Sequence, residues 1–143
     1  MAGDPTVLDE WDRPEADPTT TILLHSHDHR VRDAVRAAVG RRAAKDLPEI
    51  EWREVATPEA VIAAADGGGL DLLILDGEAP KNGGMGLCRQ IKHEIYEAPP
   101  VLVLIGRAQD EWLAAWSEAD AVVKHPIDPI EMAAAVAALV RAR

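Results

Sequence analysis

Residues 70–76 read LDLLILD, a run of apolar side chains that ends in an aspartate. Three other runs have the same character: TILLH (21–25), PVLVLIG (100–106) and DAVVKHP (120–126). Short, continuous apolar runs are typical of strands that are buried on both faces of a sheet. EIEWREV (49–55) differs, because its apolar residues alternate with charged ones, and it predicts an edge strand with one exposed face.

Helical patterns lie between and after these runs. Apolar residues three or four positions apart form stripes in residues 31–39, 87–91, 112–116 and 130–140. Residues 58–66 add a fifth helix, since they open with a proline, which suits a first helical position. Five strands that alternate with five helices predict an α/β domain with a doubly wound parallel sheet, right-handed crossovers and helices on both faces. We expect a single flavodoxin-like (βα)5 domain, residues 21–143, with strand order 2-1-3-4-5.

Residues 1–20 have a different composition, with six acidic residues, three prolines and no apolar period. Such a segment cannot offset the entropy of ordering, so it predicts a disordered acidic tail. The tail's simplest role is to keep the protein soluble; VLDEW (7–11) as a docking peptide is the alternative.

Composition narrows the function classes. The formal net charge of −10 argues against nucleic-acid and anionic-membrane partners, which favour basic surfaces. The single cysteine rules out an internal disulfide framework and suits a reducing cytoplasm. No signal peptide or membrane-spanning run is visible. We therefore expect a cytoplasmic protein, and the abundance of Ala and Arg hints at a bacterial source.

In an open parallel sheet, ligands bind beyond the carboxyl ends of the strands. The candidate site residues therefore lie at the ends of the first, third, fourth and fifth predicted strands. They are His25, Ser26, His27, Asp76, Ile105, Gly106, Lys124 and His125.

Two segments carry a resemblance to a known family. In DLLILDGEAPKNGGMGLCRQIK (71–92), Asp76, Pro80 and Gly84 have the spacing of the third strand and following loop of response-regulator receiver domains. ADAVVKHPID (119–128) is similar to the family's fifth strand. From about residue 20 onward the chain resembles a receiver of two-component (phosphorelay) signal transduction.

The resemblance implies a specific chemistry. Asp76 would be the phosphoacceptor, taking a phosphoryl group from a histidine kinase as a carboxylate nucleophile. Mg²⁺ would be held by an acidic pair after the first strand together with Asp76. A lysine that ends the fifth strand and a Thr or Ser that ends the fourth would contact the phosphoryl group.

The chain departs from this pattern at most supporting positions. Ser26 and His27 stand where the acidic pair is expected, and Asp28 remains as a third acid. Ile105 replaces the Thr or Ser, and His125, with Lys124 beside it, replaces the lysine. Val122 replaces an aromatic residue of the fifth strand that takes part in the family's conformational switch. Glu78 could restore one carboxylate if it turned inward. Because Mg²⁺ depends on carboxylates, we expect weak Mg²⁺ binding and no resident cofactor.

The histidines of HSHDH (25–29) allow three interpretations. A hydrolytic metal site needs a larger fold than this chain provides. A pocket made of His27, Asp76 and His125 could bind a softer ion such as Zn²⁺, Ni²⁺ or Mn²⁺. We favour the third interpretation, in which no metal is bound and imidazoles fill the space beside Asp76. Strand alternation predicts that His25 and His27 point the same way and Ser26 the other.

The preferred hypothesis is an atypical, stand-alone receiver, or pseudo-receiver. It would not be an enzyme, and it would act through protein–protein contact independently of phosphorylation. Trp112 and Trp116, on the fourth predicted helix, either pack in the core or are exposed at an interface. The resemblance implies that such an interface lies on the face formed by the fourth helix, the fifth strand and the fifth helix, through which receivers commonly form homodimers or dock partners. Two alternatives stay open: a weakly phosphorylatable receiver that uses Asp76 with a histidine kinase as partner, and the metal- or ligand-sensing pocket.

Overall fold

One five-stranded parallel sheet forms the centre of the domain. The structure is a computed structural model that describes residues 18–77, 84–107 and 110–143. The strands are β1 (Thr19–His25), β2 (Glu49–Val55), β3 (Leu72–Asp76), β4 (Val101–Ile105) and β5 (Ala121–Lys124). Their order in the sheet is β2-β1-β3-β4-β5, and every neighbouring pair is parallel. The predicted flavodoxin-like fold is confirmed.

Helices cover both faces of the sheet. They are α1 (His29–Val39), α2 (Pro58–Gly67), α3 (Gly84–Glu94), α4 (Glu111–Trp116) and α5 (Pro129–Arg141). α1 and α5 pack on one face around Ile74 and Leu104, while α2, α3 and α4 pack on the other around Leu73 and Val103. Successive side chains of a strand point to opposite faces, so each buried strand contributes to both cores.

Capping side chains fix where several helices begin. Asp28, Thr57 and Asp128 each accept a hydrogen bond from a backbone amide in the first turn of the helix that follows. Thr57 and Asp128 precede prolines at the first helical position, where a missing amide hydrogen costs nothing. The caps position the three loops that follow β1, β2 and β5, two of which border the candidate site.

The first strand begins earlier than the sequence predicts. Thr19 and Thr20 pair with Glu49 and Ile50 of β2, so the strand starts two residues before the predicted boundary at residue 21. Polar threonines carry no apolar signal, and the pairing partner decides their conformation. Residues 1–17 lie outside the described part of the chain, and the disordered tail stays a prediction.

β2 lies at one edge of the sheet, as its alternating pattern predicts. Ile50 and Trp52 are half-buried against the core beneath α1 and α5, whereas Glu51 and Arg53 are exposed. Among the described residues, no helix is long and apolar enough to cross a membrane.

Candidate functional site

Asp76 lies at the carboxyl end of β3 and is almost completely buried, at 2% exposure. Ser26, which follows β1, donates a hydrogen bond from its hydroxyl to Asp76 Oδ2 over 2.7 Å. His125, which follows β5, places its Nε2 atom 4.0 Å from Asp76 Oδ1. The ends of three strands therefore converge on one carboxylate.

Ser26 is held from several directions. Its hydroxyl oxygen also accepts a hydrogen bond from the backbone amide of Asp28, over 3.1 Å. Its own amide donates to the carbonyl oxygen of Val55, and the Arg32 guanidinium donates to its carbonyl oxygen. Arg32 in turn pairs with Glu54 at 3.2 Å. Ser26 thus links Asp76 to the start of α1 and, through Arg32, to the end of β2.

Asp28 serves the start of α1. Its Oδ1 accepts from the backbone amide of Arg30 over 2.9 Å, and both of its oxygens contact the Arg30 guanidinium. Hydrogen bonds from the Arg30 side chain and backbone lower the pKa of Asp28 to about 2. The third acid of the family pattern is therefore present, and it is already engaged in capping a helix.

The predicted orientation of the histidines is wrong. His25 is buried at 1% exposure and His27 is exposed, while Ser26, which was expected to point away, contacts Asp76. The reason is that β1 ends at His25, so the alternation of a pleated strand stops there and the chain bends at His27. Ser26 therefore occupies the position beside Asp76 that we expected for His27.

His25 is a histidine in a buried position. Burial lowers the pKa of its imidazole, and the nearby Asp76 carboxylate only partly opposes that shift. Its Nδ1 atom is buried without a hydrogen-bond partner among the described residues. An unpaired buried nitrogen is costly, and the cost would be larger for a charged ring.

The ends of β4 and β5 hold the other predicted residues. The Ile105 side chain is buried in the core beneath α2, α3 and α4, and its carbonyl oxygen accepts from the amide of His125 over 2.8 Å. Lys124 is exposed, so the structure places His125 rather than Lys124 beside Asp76. Val122 is exposed on β5.

Two glycines bring the chain close to Asp76. A Cβ atom on Gly84, the first residue of α3, would lie 2.7 Å from the Asp76 carbonyl oxygen. A Cβ atom on Gly77 would lie 2.6 Å from the Leu104 carbonyl oxygen. The third-strand spacing predicted Gly84 as a family match, and the structure shows that it permits this close approach. The interactions of Arg32 were not predicted, because no sequence pattern marks them.

The described residues do not fit a magnesium ion well. Mg²⁺ prefers carboxylate oxygens, and here Asp76 faces a serine hydroxyl while Asp28 is engaged with Arg30. In the three described ranges, no three histidine, cysteine or acidic side chains are grouped so that they could hold a metal. The alternative metal pocket of His27, Asp76 and His125 is not tested by this finding and stays an alternative. Glu78 and Pro80 lie outside the described residues.

The tryptophans of α4 point away from the core. Ala114 packs inward, whereas Trp112 and Trp116 are 67% and 48% exposed. The Arg89 guanidinium of α3 lies 4.6 Å from the centre of the Trp116 ring. Of the two alternatives for these residues, the structure favours a surface position over core packing.

Comparisons with known proteins agree with this geometry. Two curated sequences from Mycobacterium tuberculosis, strains CDC 1551 and H37Rv, are each named an uncharacterised response regulatory protein. Each is 47% identical to this chain over 129 residues, which cover 90% of this chain and 97% of the relative. No family model matches the sequence.

Solved structures show the same fold. The receiver domain of a Francisella response regulator superposes with a TM-score of 0.71 at 14% identity, covering 86% of this chain and 98% of that one. A two-component response regulator from Clostridium difficile gives a TM-score of 0.70 at 20% identity, covering 85% and 96%.

With the sheet order, the buried aspartate and the mycobacterial relatives together, the chain belongs to the response-regulator receiver family of two-component signalling. The predicted family and the predicted bacterial affinity are confirmed. Receiver domains are signalling domains that work with kinases or other proteins.

Proposed function

We propose that this receiver signals through protein–protein contact without phosphorylation of Asp76. The observation that carries the proposal is the 2.7 Å hydrogen bond from Ser26 to the buried Asp76 carboxylate. In the family pattern, an acidic residue of the metal site stands where Ser26 stands here.

Ser26 and His125 support Asp76 without a cation. A buried carboxylate needs hydrogen bonds or a positive partner to stay charged. The Ser26 hydroxyl supplies a hydrogen bond, and the His125 ring lies 4.0 Å from the other carboxylate oxygen. The hydrogen bond from Ser26 supports the proposal that Asp76 is held in place without a metal ion.

Ile105 lacks the hydroxyl group that the family's conformational switch needs at the end of β4. A Thr or Ser at this position would move toward a phosphoryl group and draw the β4–α4 loop with it. The Ile105 side chain has no hydroxyl and lies in the apolar core. Leaving that core would expose most of an isoleucine side chain, at about 1.5–3 kcal/mol. The two-state element that a phosphoryl group biases is therefore missing.

Intact-mass measurement tests the proposal. The protein is incubated with a small phosphodonor and Mg²⁺ or Mn²⁺, with Asp76→Ala as the matched control. We expect no phosphoryl adduct on either protein. An adduct on the wild type that is absent from Asp76→Ala would overturn the proposal.

A weakly phosphorylatable receiver is the second candidate, and the position of His125 favours it. An imidazole 4.0 Å from Asp76 could pair with a phosphoryl group there, as the family's lysine does. An adduct on the wild type that is reduced in His125→Ala would support this candidate.

A further inference from the structure

A groove between α2 and α3 lies outside the Asp76 site. Its volume is about 470 Å³, and its lining residues come from both helices. Pro58, Ile62 and Ala63 of α2 and Leu87 of α3 form its apolar floor. An apolar groove between two helices is a surface of the kind that binds an amphipathic helix.

The charge around the groove has one sign. Glu59 and Asp66 lie at its rim, and Gln90 stands opposite and donates to Glu94 over 3.1 Å. No lysine or arginine is among the described residues that line it. Within the described part of the chain, no basic side chain forms an ion pair with Glu59, Asp66 or Glu94, although many other acidic residues do have such partners.

We propose that this groove binds a basic amphipathic helix of a partner protein. Glu59 and Asp66 are seven residues apart on α2, which separates them by about 10.5 Å along the helix axis. A partner helix that lies along the groove would meet them with two lysines or arginines at the same spacing. Apolar residues between those two would contact Ile62 and Leu87.

Other occupants fit the charge less well. The chain's own first 17 residues contain six acidic residues and one arginine, so the acidic rim would repel them. The basic helix α1 of a second copy already buries its apolar residues Val35 and Val39, and its Arg32 and Arg36 pair with Glu54. A separate partner with free basic side chains is therefore the occupant that the charges favour.

The test uses the full-length ¹⁵N-labelled protein and a stapled helical peptide as the probe. The peptide carries two lysines seven positions apart, with leucines at the third and fourth positions after the first lysine. We expect saturable shifts of amide resonances in α2 and α3. Binding should weaken about tenfold in Glu59→Lys/Asp66→Lys, because two rim attractions become repulsions.

Matched controls separate this groove from general attraction to an acidic protein. Glu111→Lys/Glu131→Lys changes the net charge equally at exposed helical positions, and it should bind the probe as the wild type does. A peptide with serines in place of the leucines should not bind. Equal weakening in both double variants, or no binding at millimolar peptide, would overturn the proposal. So would shifts centred on Trp112 and Trp116, or α2–α3 shifts that depend on protein concentration without peptide, which would indicate a second copy.

Discussion

A single hydroxyl group joins the ends of two strands at the candidate site. Ser26 Oγ donates to Asp76 and accepts from the amide of Asp28, so both its hydrogen and a lone pair are used. Hydrogen bonds to charged acceptors contribute more to stability than those to neutral ones. This residue therefore matters to the fold as well as to the site.

Ser26→Ala should lower the free energy of unfolding by about 1.5–3 kcal/mol, because a buried carboxylate loses a hydrogen bond from a hydroxyl donor. Ser117→Ala is the matched control, since Ser117 is also fully buried and donates to the neutral carbonyl oxygen of Ala114. Its loss should be about 0.5–1.5 kcal/mol. Urea denaturation measures both, and a smaller loss for Ser26→Ala than for Ser117→Ala would contradict the expectation.

His25 should make stability fall as the pH falls. Its folded-state pKa is lower than the unfolded value of 6.5, so the unfolded chain takes up a proton first. Below that value, stability is lost progressively until the folded-state pKa is reached. Denaturation at about pH 7.5 and pH 5.5 should therefore show a smaller pH-dependent loss in His25→Val than in the wild type.

The exposed His29 provides the control substitution. His29→Gln is denatured at the same two pH values to control for the replacement of a histidine close to the site. If His25→Val and wild type lose equal stability over that range, another group titrates and His25 is not responsible.

At the scale of single residues, the sequence predicted where Asp76 lies in the fold but not the contacts that it makes. The spacing of Asp76 and Gly84 matched the end of a strand and the start of the next helix, because such spacing depends on local chain geometry. The expectation for His27 was wrong because it assumed that the pleated strand conformation of β1 continues to residue 27. The position where β1 ends is set by its pairing with β2 and β3. Arg32 could not be predicted either, since its contact with Ser26 crosses the loop between β1 and α1.

At the scale of elements, the start of α3 is a sterically constrained position near the site. Gly84 lies against the Asp76 backbone, while Gly86, two residues later, has nothing within 4 Å of an added Cβ atom. The two glycines belong to the same helix, and they differ mainly in the space available for an added Cβ atom.

Gly84→Ala should destabilise the domain by about 1–3 kcal/mol, because the new methyl group would overlap the Asp76 carbonyl group. Gly86→Ala should instead stabilise it by about 0.5–1 kcal/mol, as alanine is the better helix former at an open position. Thermal unfolding of both variants measures the difference. Opposite signs are expected, and equal effects would show that α3 can shift away from Asp76.

Element type was easier to predict than element ends. The apolar runs identified β1, β3, β4 and β5, and the alternating pattern identified β2. β1, β3 and β4 are buried along most or all of their length and so have little choice of side chain. β5 was also expected to be buried on both faces, but it lies at the other edge of the sheet and only Val123 is fully buried. The strand ends depended on partners: β1 extends back to Thr19 because β2 offers it hydrogen bonds. The exposure of α4's tryptophans was an open question in the sequence, because apolar spacing alone does not show which side of a short helix is buried.

At the scale of the whole molecule, the exposed tryptophans suggest how copies could associate. Trp112, Trp116 and Val122 are exposed large apolar residues of α4 and β5. Large exposed apolar patches mark contact surfaces. We expect a concentration-dependent homodimer through the α4-β5-α5 face.

Sedimentation equilibrium measures this association. Trp112→Ala/Trp116→Ala should weaken it at least tenfold, since aromatic residues dominate binding energy at interfaces. Tyr96→Ala is the control, because Tyr96 is an exposed aromatic residue away from this face. A wild-type protein that stays monomeric at high concentration would contradict the expectation.

The order of the strands also bears on how the chain assembles as it is synthesised. β1, made first, lies between β2 and β3 and pairs with residues 72–75. Those partners emerge about 50 residues later, and closing such a loop costs entropy before its contacts stabilise anything. Once β3 has emerged, the three strands β2, β1 and β3 can form one continuous sheet. β4 and β5 then add in order at a single edge of the sheet. The half of the domain that carries Trp112 and Trp116 is therefore expected to be completed last.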